Sequence, residues 1–256
     1  IDIRSVTPVY HSWVTRMTKV STYYTYSIGR FLYAPITCRC NSRTLPETRG
    51  PNFELPPDIV SALCRFRDLE EDKSKWSPWC NWLDTQEMYH KLPEVTNRDK
   101  ECRHDTEITE ILKTEIEMQL AIKKEDWKEL KFGGEGEPTL NLKTVETLTK
   151  EFSNEVPITI MTNGLINCVD ELKEWGVSSV SVSLHTHDPE QYSEIMEPLV
   201  ENAHEKLCRF IKDAVASDLN LELTGIDRPC VDKKKAKELA VSLGVDSEIR
   251  WRTFFQ

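Results

Sequence analysis

Three clusters of residues could do chemistry. The first is Glu135-Gly136-Glu137, which follows the apolar run 130–132 and the pair Gly133-Gly134. Carboxylates at the end of a strand can hold an amine or a ribose hydroxyl of a small ligand. Glycines lack a Cβ, so the backbone can turn tightly and approach that ligand closely. Pro138, with no N–H and a fixed φ, suits the turn or the first helical position that follows. Alone, the stretch reads equally as a strand, a turn and a capped helix with solvated glutamates. The second cluster is His185-Thr186-His187-Asp188. HxH on an extended segment puts both imidazoles on one face, which is how a metal-hydrolase site begins. His11, His90, His104 and His204 fall away from the predicted strand ends. Asp227 alone does not close such a site, so a hydrogen-bonded polar turn is the plainer reading. The third is the pair Cys38 and Cys40, at most two thiolates in one loop.

The elements that must position these residues follow from periodicity. Strands are expected over 31–37, 129–134, 156–163, 179–185, 219–226 and 248–255. Helical spacing is expected over 56–69, 106–124, 142–152, 168–175, 189–196, 203–216 and 232–243. Strand–helix alternation implies parallel strands with right-handed crossovers. Six such units suit an α/β fold, an incomplete (β/α)6 barrel, in which ligands sit at the carboxyl ends of the strands. Five of those ends carry small or polar residues: the Cys38 loop, the Gly134–Glu137 turn, Thr162-Asn163-Gly164, His185 to Asp188, and Thr224-Gly225. Arg250 and Arg252 share one face of the last strand. If that face is inward they need a carboxylate, from Glu135, Glu137 or a ligand; if outward, they are solvated.

Composition bounds the rest. The chain's 256 residues, 39% of them hydrophobic, can bury one sizeable core. No apolar run approaches the roughly 20 residues of a membrane helix. A formal net charge of −10 disfavours nucleic acid as a partner. Residues 1–27 form a basic arm: between Asp2 and Glu47 the chain has no acid, and Arg4, Arg16, Lys19, Arg30, Arg39 and Arg43 fall there. This is the composition of the tail of an organelle transit sequence, mitochondrial or plastid; an arm docking on an acidic partner and a trimmed start are the alternatives. Within the domain 28–256, residues 73–105 read as a polar insertion holding Trp76, Trp79 and Trp82. Indoles at three-residue spacing pack together or meet a protein partner. Eight cysteines without a disulfide-scaffold spacing suggest reduced thiols inside a cell. Cys168, Cys208 and Cys230 read as core residues.

Taken in order, GEGEPTL at 134–140, TNGL at 162–165, SVSL with its His-Thr-His-Asp-Pro turn at 181–189, TGID at 224–227 and RWRTFF at 250–255 resemble the radical S-adenosylmethionine (SAM) superfamily. Within it, they are similar to the branch associated with TatD-type nucleases. The likeness covers about 27–50 and 129–256. It implies a radical-SAM-type barrel and SAM as cofactor. Glu135, Gly136 and Glu137 would hold SAM's amino group, Asn163 and Ser183 would lie near its ribose and carboxylate, and Thr224 and Gly225 would flank the adenine. It also implies a four-iron four-sulfur cluster on a CxxxCxxC loop after the first barrel strand. Here the spacing departs: Cys40 is followed by Thr44 and Glu47 where the other two cysteines belong. Cys38 and Cys40 supply at most two thiolates, so cluster binding is not expected.

The reading is a radical-SAM-like pseudoenzyme whose remaining carboxylates and glycines either keep a SAM-like ligand or are relics that serve packing. It would serve as a subunit or assembly factor, with the arm and the Trp76/Trp79/Trp82 region as contacts. An active enzyme with atypical cluster ligands is the alternative, and a hydrolase built on His185 and His187 a further one.

Overall fold

Leu32, Leu130 and Ile158 stand in register across three neighbouring strands and are buried, as are Ala34, Phe132, Ile160 and Val180 one step on. Their sequence neighbours form the other face: Tyr33, Lys131, Thr159 and Ser179 in one row, Met161, Ser181 and Glu222 in the next. Period-two alternation thus builds a sheet with one apolar and one polar face. The computed structural model describes residues 23–70, 105–122 and 127–256. Most of the basic arm and all of Trp76, Trp79 and Trp82 lie outside these residues.

The strands are β1 (Tyr26–Ile28), β2 (Phe31–Ala34), β3 (Glu129–Phe132), β4 (Ile158–Thr162), β5 (Ser179–Ser183), β6 (Asn220–Asp227) and β7 (Arg250–Thr253). They lie side by side in chain order. β2 to β7 are parallel, and β1 pairs antiparallel with β2. The sheet curls into a half-barrel, as the six expected parallel strands imply. β1 is a seventh strand that the sequence did not announce. It is three residues long and returns through a tight turn in which Gly29 has φ 62; a stretch so short has no readable period.

Helices follow the strands, and all but the first pack toward the apolar core. They are α1 (Leu45–Thr48), α2 (Pro57–Leu69), α3 (Asp105–Ile122), α4 (Leu142–Phe152), α5 (Val169–Trp175), α6 (Pro189–Met196), α7 (Ala203–Ala216) and α8 (Lys233–Ser242). Ile108, Leu112 and Ile116 of α3, Leu148 and Phe152 of α4, and Leu207, Phe210 and Ile211 of α7 join the strand residues in one core. Each such side chain contributes about 1.5–3 kcal/mol by leaving water. Capping sets the helix starts. Asp188 accepts from the N–H groups of Glu190 and Gln191 at α6, and Asp232 from those of Lys234 and Lys235 at α8. Gly176, at φ 95, ends α5. With the core on the helix side, the polar face and the strand ends are left to form a site.

Candidate functional site

The carboxylate turn after β3 is packed against the cysteine loop after β2. A Cβ on Gly136 would come within 2.2 Å of the carbonyl oxygen of Thr37 and 2.7 Å of that of Arg39, so only glycine fits there. The N–H of Glu137 donates to the Arg39 carbonyl at 2.8 Å. The Glu137 carboxylate is buried and already engaged. One oxygen accepts from the Thr139 N–H and from the Thr139 and Thr162 hydroxyls, and the other from the Asn163 N–H at 2.7 Å. Burial raises its pKa, and these bonds oppose the rise. Glu137 therefore ties the β3 turn to the end of β4.

The strand ends surround a pocket that opens to solvent. Of the residues expected at the site, Glu135, Gly136, Glu137, Asn163, Ser183 and Cys40 line it. Asn163 is held by its own bonds: its amide donates to Asn41 at 2.7 Å and Ser42 at 3.1 Å, and its oxygen accepts from the Leu165 N–H. Thr224 and Gly225 do not line the pocket. Thr224 is buried beside Ser183, its hydroxyl 3.5 Å from that of Ser183. Gly225 faces the other way, where a Cβ would meet the Trp251 ring at 2.5 Å. Cys38 is also outside, packed in the core with its N–H donated to Glu70.

A family comparison bears on these strand ends. The model for the radical SAM superfamily matches residues 97–227, just over half of the chain, from before α3 to the end of β6. The chain belongs to the radical SAM superfamily. No curated protein matches it. Among solved structures, the chain resembles a structure of TYW1 with a lysine-pyruvate adduct bound. The TM-score is 0.50 and the identity 14%, over 89% of this chain and 65% of that one. It also matches a crystal structure of archaeal TYW1, with TM-score 0.42 and identity 17%, over 59% of this chain and 57% of that one. At such identities the likeness is one of fold, and the chain spans about two thirds or less of these proteins' length.

Against the radical SAM pattern, the loop after β2 holds Cys40, Thr44 and Glu47 at the cysteine spacing. Thr44 is the N-cap of α1, and the Glu47 carboxylate accepts from its N–H and hydroxyl at 3.3 Å each, in the manner of a capping box. Burial lifts Glu47 to about 7. The Cys40 thiol is pushed up to about 12, by burial first and then by Glu137. α1 itself was not foreseen, because a four-residue helix shows no period.

The histidine pair does not form the expected face. His185 has φ 55, and the Thr186 N–H bonds the Leu184 carbonyl at 2.7 Å, closing a γ-turn where an extended segment was expected. His185 is 1% exposed and lines the pocket, which His187 does not. The Asp188 carboxylate is spent on the α6 cap. Among the described residues, no three His, Cys, Asp or Glu side chains gather as a metal site. Arg250 and Arg252 do face inward. Arg250 pairs with Glu222 at 2.7 Å, and Arg252 lines the pocket. Met161 and Ser181, also in the lining, were missed. They share parity with Asn163 and Ser183 along β4 and β5, and that alternation was the available signal.

Proposed function

We propose that this chain is a radical SAM homologue that works without an iron–sulfur cluster. It would be a pseudoenzyme that keeps the ligand pocket and acts within a larger complex, and its strand-end motifs resemble the TatD-nuclease-associated branch. One observation carries the reading. At the positions where the superfamily places three thiolates, the donors are one thiol, one hydroxyl and one carboxylate, and the last two bond each other to start α1. Such clusters are held by cysteine thiolates. The remaining thiol, Cys40, is buried and resists deprotonation. This donor set does not fit the cluster.

SAM is retained in the reading as a ligand. In the superfamily a cluster iron binds SAM and supplies the electron for its chemistry. Glu135 and Ser183, both in the pocket lining, would hold SAM, with Glu137 and Asn163 fixing the turn and the end of β4 behind them. The partner contacts rest on the sequence of the basic arm and of Trp76, Trp79 and Trp82. A chain found only as free monomer in cell extract contradicts that part.

Restoring the spacing tests the central part. T44C/E47C recreates CxxxCxxC with Cys40, and anaerobic reconstitution of this variant should give iron and sulfide where the natural chain gives none. Equal iron in both proteins would refute the proposal.

A further inference from the structure

The charged residues on the inner face of the sheet are matched in pairs, with one exception. Lys131 lies 2.8 Å from Glu129, and Arg250 donates to both oxygens of Glu222, at 2.7 and 2.8 Å. Arg252 lies on the same face, two residues further along β7, and lines the pocket. It makes no hydrogen bond or ion pair with any described residue. Glu222, an acid whose field reaches it, is held by Arg250. Burial, then Arg250 and Arg49, lower the Arg252 guanidinium to about 10, so it remains a cation. A half-buried cation without a counter-ion among the described residues is costly to fold and calls for an anion from outside.

His185 lines the same pocket, and neither of its ring nitrogens has a partner among the described residues. It is 1% exposed and held at φ 55 in its γ-turn. Strain kept at a position whose side chain is left unbonded points toward a ligand. Burial, then the charges of Arg252 and Arg228, hold its imidazole neutral, so one nitrogen keeps an N–H to donate. A metal ion or an ammonium group would be repelled beside Arg252. A carboxylate would take the guanidinium fork and the imidazole N–H together. Glu135 and Glu137 line the same pocket and disfavour a phosphate dianion.

We propose that the pocket seats the carboxylate of a small organic ligand between Arg252 and His185. This goes beyond the loss of the cluster. The seat is built from β7 and the turn after β5, not from the cysteine loop, and stands whatever the iron content. The carboxylate could be SAM's own or that of a separate acid.

The test titrates the full chain with propionate, inorganic phosphate and SAM while following the ring ¹⁵N resonances of His185, assigned with His185→Asn. Propionate should shift them saturably. Arg252→Gln should weaken binding about tenfold or more, the usual effect of losing a charge-assisted bond. Arg250→Gln, outside the pocket, should change it less than twofold. Arg252→Lys guards against misfolding and should retain part of the affinity. A tenfold loss of SAM affinity in Arg252→Gln assigns the carboxylate to SAM. Unchanged SAM affinity beside lost propionate binding assigns it to a separate acid; both support the seat. No saturable shift with propionate or SAM, equal binding by Arg252→Gln, or tighter binding of phosphate than propionate would overturn it. Iron analysis of the same sample judges the cluster reading separately.

Discussion

The imidazole of His185 is held at about 3 by burial and then by Arg252 and Arg228. The unfolded chain takes up this proton near the ordinary histidine value of about 6.5. Between those two values the unfolded state therefore binds more protons, and stability falls as the pH drops through that window. The full contribution is present above about 6.5. His185→Asn keeps a side chain that tolerates positive φ and removes the titration. Its urea-denaturation midpoint should consequently depend less on pH between about 6.5 and 3 than that of the natural chain. An unchanged pH slope would mean that the imidazole is not what destabilises the fold in acid. The residue was legible in the sequence as a chemical group, but its role was not. HxH reads as a paired face only on extended backbone, and the γ-turn at His185 breaks that premise.

Between elements, the close contact of the cysteine loop and the carboxylate turn shapes the pocket. Gly136 sits where a Cβ would strike two carbonyl oxygens of residues 37 and 39. Gly136→Ala must push the two loops apart, and it should cost about 1–3 kcal/mol of stability in urea denaturation, the usual range for overpacking. A change below about 0.5 kcal/mol would show that the loops yield freely. Most elements could be read beforehand. Helices 142–152, 189–196 and 203–216 end where apolar spacing and cap residues place them, and all six parallel strands were expected. What was not legible has two causes. β1 and α1 are three and four residues long, too short to show a period. Gly225 looked like a ligand contact at a strand end, but its empty side is filled by Trp251 from the neighbouring strand. No local pattern encodes that.

For the whole molecule, a half-barrel of the radical SAM superfamily carries, after β2, a loop in which Thr44 and Glu47 start α1, and we propose that this loop holds no cluster. The matched span, residues 97–227, excludes that loop. The polar inner face and the Gly136 and Glu137 turn line a pocket, and the proposed SAM ligand would sit there. The direct measurement is iron and acid-labile sulfide per chain after anaerobic purification and reconstitution of the natural protein, with SAM titrated into the same sample. The natural protein is expected to hold no iron and to bind SAM saturably. About four irons per chain with a SAM-dependent spectral change would contradict that expectation and return the protein to the active enzymes of its superfamily.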